Sequence, residues 1–442
     1  MGKLIRICCL LVSISVFAEE SGPLLKQHHT AEEHSHEAHH LMPTPKYPQS
    51  PGDCSSMQFF DLGMWMCMPL AQEKMPMSMV MVSGNIFGGY TAGEKPRGRD
   101  ALYSTNMVML DVGTSLGNRH YLNLDLMMTS ELWTVPADGY PLLLQVGEHN
   151  QAGVPFIDAQ HPHSSPIMGL TFSDTIRLSE GSNALKLFFA PRGEVTDGPV
   201  AFMHRPTGMI NSDAPLGHHI GQDVGHISST VLGSSLKWGD HRFELSVFNG
   251  EEPKPSEVDL PLGTPNSASF RVVKEWNPDF LAMVSAAYLH HPEHDEPELD
   301  HRWRLSGSFY HHFSLSEEWD FHHTFIFGGI TNYDNTQFLN SFLEEFWLTS
   351  GAPNFWGRIE VLQRTPAQLQ VATTSNPNEG MWVAAVTLGY THSLTQIMGA
   401  TLGIGASITK NFLRSSFEST YRGEPVSGKV FLHLKGMRMW HE

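Results

Sequence analysis

The chain has 442 residues, 40% of them hydrophobic and only 17% charged, with a formal net charge of −18. The charged share lies well below the roughly 25% of an average soluble domain, yet no stretch after the N-terminus reaches the roughly 18 apolar residues of a membrane-spanning helix, which excludes a polytopic helical membrane protein. So acidic a chain is also unsuited to nucleic acid, whose phosphates need a basic surface. Counts of 26 His, 22 Met and 39 Gly point instead to metal handling and to a chain rich in strands and turns.

In chain order the first element is an address. Lys3 and Arg6 precede the apolar run 7–18, and Val16-Phe17-Ala18 offers a small-x-small cleavage site before Glu19. Residues 1–18 therefore read as a secretory signal peptide. Cys8 and Cys9 leave with it. The remaining pair, Cys54 and Cys67, reads first as one disulfide closing a short loop, with paired thiolate metal ligands as the other reading. Residues 19–78 read as a disordered periplasmic tail rich in His and Met, because its first part holds too few apolar residues to bury.

From residue 79 to 442 the pattern changes to short segments of alternating polarity. Candidate strands fall near 80–91, 102–114, 118–130, 166–178, 184–192, 226–238, 241–249, 267–275, 280–290, 303–314, 319–330, 339–349, 355–364, 381–392, 397–409 and 428–436. That is about sixteen, each about 9–13 residues long, the length a tilted strand needs to cross a bilayer. Phe243, Leu245 and Val247 share one face, with Glu244 and Ser246 on the other, and Leu122, Leu124 and Leu126 oppose Asn123 and Asp125 in the same way. A soluble sandwich would alternate likewise. The connections decide between them, because short turns such as Gly239-Asp240 alternate with long loops such as 193–225 along almost the whole chain. Trp238, Trp276 and Trp319 abut short turns, where an interfacial aromatic girdle belongs. The expected fold is all-β: an up-and-down transmembrane β-barrel of about 16 antiparallel strands, set in the lipid of the bacterial outer membrane with both termini in the periplasm.

Three groups of residues are candidate metal ligands. The tail carries His28, His29, His34, His36, His39 and His40 among glutamates, a density of imidazole and carboxylate suited to Cu(II), Zn or Ni. Next come Met75, Met77, Met79 and Met81, spaced by two so that an extended chain puts all four thioethers on one face. Soft thioethers suit Cu(I), while the competing reading is an apolar stripe entering the first strand. The third group lies on two long loops expected at the same end of the barrel: His161 and His163 on one, His204, His218, His219, Asp223 and His226 on the other. These assemble either a His/Asp site across the mouth or a hydrogen-bonded plug inside the lumen.

The segments GYPLLLQVGE (139–148), AQHPHSSP (159–166), AFMHRPTG (201–208) and PLGHH (215–219) resemble a family of uncharacterised exported bacterial β-barrel proteins with GYPLLFQTGE, RQHPHD and AFMHRPSG motifs and His- and Met-rich N-terminal tails. The resemblance implies a barrel and a setting of copper resistance. Where that pattern has Arg and Asp flanking HPH, this chain has Ala159 and Ser164. The carboxylate that would orient His163 is therefore expected to be missing.

No catalytic motif appears in the sequence, so the protein is expected not to be an enzyme. The expected function is a channel or surface protein linked to transition-metal binding or resistance, with copper as the metal and zinc or nickel as alternatives. The competing expectation is a general porin or structural outer-membrane protein whose His loops only plug the lumen.

Overall fold

The computed structural model describes residues 50–441 apart from 56–57, 72–77, 164, 180, 224, 226, 256–257, 259, 261, 293–298, 333–334, 375 and 398. The expected signal peptide 1–18, the six tail histidines, Met75, Met77 and His226 lie outside the described residues.

Sixteen antiparallel strands close into one barrel. They are β1 (Ser78–Gly93), β2 (two pieces, Asp100–Tyr103 and Asn106–Leu116), β3 (His120–Met128), β4 (Ile167–Arg177) and β5 (Ala184–Gly193). β6 (Ser228–Trp238), β7 (His241–Asn249), β8 (Ser267–Asn277), β9 (Phe280–His290) and β10 (His301–Ser314) follow. The remainder are β11 (Asp320–Thr331), β12 (Phe338–Thr349), β13 (Pro353–Arg364), β14 (Met381–Ile397), β15 (Ala400–Phe412) and β16 (Val426–His441). Each strand pairs with its neighbour in sequence, and β16 closes on β1 from Ser427↔Gly93 to His441↔Met79. Every candidate strand of the sequence has its counterpart here.

Burial runs opposite to that of a soluble protein. On β7, Leu245 is 51% exposed while Glu244 is 4% and Ser246 is 1% exposed. On β13, Arg358, Glu360 and Arg364 are all buried. Apolar side chains thus clothe the outside and charged ones line the inside, the arrangement that lipid imposes and water forbids. Trp238 and Trp276 are both exposed at the short turns, and Trp303 and Trp382 at the opposite rim. They form two aromatic belts about an apolar band. Along β10, Trp303 and Phe313 bound that band. Ten residues at roughly 3.3 Å rise and a tilt near 40° make it about 25 Å tall. The fold is that of an outer-membrane barrel.

The lumen is filled. The loop between β5 and β6 is almost wholly buried, with Arg205 fully so. Arg205 donates to both carboxylate oxygens of Glu345 on β12, at 2.7 and 3.1 Å, and Glu345 also accepts from Arg358 at 2.9 Å and from Thr207 at 3.0 Å. A hairpin of Tyr140–His149 with Pro155–Gln160 lies beside it, held by Arg364 on Leu144 O (3.0 Å) and Gln145 Oε1 (3.1 Å). The His-bearing loops thus fill the lumen as a hydrogen-bonded plug, and a metal site within that plug is compatible with it.

A second hairpin, Gln58–Asp61 with Met66–Pro69, also enters the lumen. Composition had assigned these residues to a tail. Phe60, Leu62, Trp65 and Cys67 pack instead on the inward residues Val273, Leu281 and Tyr310, and Lys186 on β5 binds Asp61 at 2.5 Å. Cys54 and Cys67 are joined as a disulfide. The cross-link and the apolar lumen contacts together hold this segment in place.

Glu194, at the start of the plug, titrates far from the ordinary range. Burial pushes it up to about 8. Arg271 opposes that shift in part, while Asp223, Asp61 and Glu244 add repulsion. Between its ordinary value of 4.5 and about 8 the folded state binds the extra proton, so stability falls as pH rises through that window. The thermal midpoint is expected to drop from pH 5 to pH 8.5, and Glu194→Gln to flatten the decline. An equal slope in both proteins would assign the pH dependence to other groups.

Candidate metal centre

Three imidazoles meet where the two plug segments touch. His161 follows the strand Pro155–Gln160, and His218 and His219 open the turn His218–Gln222. That turn is pressed against the wall. Ser341 Oγ donates to Ile220 O at 2.8 Å. Gly221, at φ +68°, runs so close to the backbones of Gly329 and Leu305 that a Cβ would have no room.

Ligand nitrogens of His161, His218 and His219 all lie within 4.8 Å of one another. His161 Nδ1 stands 2.9 Å from Pro162 O, which can only accept. Nδ1 therefore carries the proton, and Nε2 keeps its lone pair. Nε2 of His161 faces Nε2 of His219 at 3.3 Å. Two nitrogens bound tetrahedrally at about 2.0–2.1 Å to one ion stand about 3.3 Å apart. His219 turns its other nitrogen to Glu252, 3.6 Å away, the carboxylate-behind-histidine arrangement that orients metal ligands. Glu148 lies within the same group.

The electrostatics agree with that arrangement. Burial pushes His161 down to about 4, with His219 adding to the effect, so the ring is neutral and its lone pair available. Burial would raise Glu252, but the adjacent His219 outweighs it and holds the carboxylate down at about 2. A neutral His161 nitrogen beside an ionised carboxylate fits a divalent transition ion.

The remaining predicted residues divide. Asp223 lies 3.9 Å from His218 Nδ1 and accepts the Phe202 N–H at 3.0 Å, so it stands behind the cluster rather than within it. His163 is elsewhere. Its Nδ1 meets Glu131 at 2.6 Å, and its backbone N–H donates to the same carboxylate oxygen at 3.0 Å. The carboxylate expected to be missing is thus supplied from 32 residues upstream. His204 is also separate, buried on a different cavity. Met79 and Met81 are not on a periplasmic arm but on β1, facing inward and buried. The period of two that put them on one face is the strand's own. Glu131, Glu148 and Glu252 escaped the sequence reading because each is 32 or more residues from the histidine it meets, and only folding brings them together.

Gly147 sets the width of the centre. It sits at φ +142°, and a Cβ on it would collide with the His219 ring. Gly147→Ala is expected to displace His219 and to lower metal affinity about 10–100-fold, as loss of a supporting residue does. The barrel itself should stay intact. Metal titration of the variant, beside its gel mobility before and after boiling, would check both; unchanged affinity would show that His219 takes no part.

No protein-family model matches the chain, and no curated protein matches it. Solved structures do. OmpF of Salmonella typhi, in complex with daunomycin, aligns with a TM-score of 0.51 at 6% identity, over 82% of this chain and 97% of that one. An anion-selective porin from Comamonas acidovorans gives 0.49 at 11% identity, over 81% and 99%. OpdK of Pseudomonas aeruginosa, with vanillate, gives 0.40 at 9%, over 84% and 100%. At the first of these levels the likeness is one of fold. Fold and lumen together define a porin-like outer-membrane β-barrel with an internal plug.

Proposed function

We propose that the protein is a plugged outer-membrane channel or surface protein that captures a transition-metal ion at its long-loop end, copper first, with zinc or nickel as alternatives. Its short turns face the periplasm in this reading, and the His- and Met-rich N-terminal segment lies on that side. The observation that carries the metal reading is the His161–His219 pair, two Nε2 atoms 3.3 Å apart with the proton of His161 held on the opposite nitrogen by Pro162 O. The same spacing serves a hydrogen bond from the His219 N–H to His161, and metal titration separates the two.

The test is a titration of the full chain, refolded in detergent, with Cu(II) and with Zn(II), beside His161→Ala and His219→Ala. Each variant is expected to lose one bound equivalent while the tail histidines keep theirs. Equal stoichiometry and affinity in all three proteins would sink the reading. The Arg205–Glu345 anchor favours a second one, a porin whose loops merely occlude it. Under that reading the variants bind metal as the parent does.

A further inference from the structure

Eleven methionines form one buried cluster inside the barrel, half of the 22 in the chain. A barrel lumen is ordinarily polar, and the opposite wall obeys that rule with Ser246, Ser269, Ser285 and Glu345. The methionine wall therefore needs its own explanation. It is built in rows across neighbouring strands. Met437 on β16 pairs with Ser83, Ser83 with Met109 on β2, and Met109 with Met127 on β3. Methionines of the N-terminal hairpin and of the plug close over this face, Met64 and Met203 among them.

The cluster is not sealed. A cavity of about 100 Å³ opens against Met64, Met109 and Met127, with Asp125 at its edge. That is room for several waters or one ion with its ligands. His204 lines the same cavity. It is 6% exposed, and Asp61 lines the cavity with it. Charged residues line it too: the carboxyl groups of Asp61, Glu194 and Glu244, with Asp125, outnumber Lys186, Arg242 and Arg271, so the cavity favours a cation on balance.

We propose that this cavity binds a soft monovalent cation of the Cu(I) type through the thioethers of Met64, Met109 and Met127 and the imidazole of His204. Thioethers prefer such ions and offer little to zinc or nickel. They also persist where thiols are lost to disulfides, as Cys54 and Cys67 are here. The site is distinct from the His161 centre in place and in ligand chemistry, and it stands whether or not that centre binds metal. Three sulfurs and one nitrogen select by softness; three imidazoles do not.

The full chain, refolded in detergent, is titrated anaerobically with Cu(I) against a chromophoric chelator, beside Met64→Leu/Met109→Leu/Met127→Leu and His161→Ala. Leucine fills methionine's space at little cost in packing. The triple variant is expected to lose one Cu(I) equivalent that His161→Ala retains. Identical Cu(I) stoichiometry and affinity in the parent and the triple variant would overturn the site. Should the triple variant fail to show the gel shift of a folded barrel, the parent alone still decides. Mild peroxide oxidation followed by peptide mapping is expected to show Met64, Met109 and Met127 protected by Ag(I) and not by Zn(II). Equal oxidation of these three with and without Ag(I) would overturn the proposal.

Discussion

Arg205→Ala is expected to loosen the plug and let an occluded barrel conduct intermittently. The guanidinium is fully buried and spans both oxygens of Glu345, whose other partners are Arg358 and Thr207. Removing it leaves a carboxylate in the lumen with part of its compensation gone, a change that costs on the order of 3–5 kcal/mol. Other anchors of the loop remain, among them Lys429 on Asp213, Arg304 on Asp197 at 3.1 Å, Gly198 N on Ser285 Oγ at 2.8 Å and Leu216 N on Glu360 at 2.5 Å. The loop is therefore expected to loosen around its lost central pair and open intermittently rather than to leave the lumen. Planar-bilayer recordings should show stepwise currents in the variant that the parent lacks. The double variant Arg205→Met/Glu345→Met removes both charges, so it should conduct far less than the single one. Silent bilayers with Arg205→Ala would mean that the hairpin 140–160 holds the lumen shut without the ion pair.

The sequence carried the wall of this molecule and not its contents. Sixteen strands were legible because lipid outside and charge inside force a strict period of two, as in Phe243-Glu244-Leu245-Ser246-Val247. Alternating loop lengths then separated a barrel from a sandwich. The His161–His218–His219 cluster was legible in part, since both loops had to leave the barrel at one end. Its supporting carboxylate was not, because Glu252 belongs to a third loop whose position only the closed barrel fixes. Nor was Glu131 behind His163: both lie on the connection from β3 to β4, but 32 residues apart, with the plug hairpin between them. The hairpin 58–69 was misjudged because polarity alone was weighed. Phe59, Phe60, Leu62 and Trp65 had the means to bury surface, and a lumen was the one place to do it.

Leu245→Arg tests the membrane assignment on a single strand. β7 runs from the two-residue turn at Gly239-Asp240 to the long loop after Asn249, and Leu245 stands midway with its side chain outward. If lipid surrounds it there, an arginine costs about 2–4 kcal/mol, falling to about 0–1 near either interface. His241→Arg, on the same outward face beside the turn, should therefore cost little. Val258→Arg on the long loop is 67% exposed outside the barrel wall and should be neutral within about 0.5 kcal/mol. The measurement is the urea midpoint after refolding into lipid vesicles, read as the loss of heat-modifiable mobility on gels. A soluble barrel would accept arginine equally at all three exposed positions. The expected order of destabilisation is Leu245, then His241, then Val258. A flat series would remove the bilayer from the account of why this strand exposes its leucines and buries its glutamate.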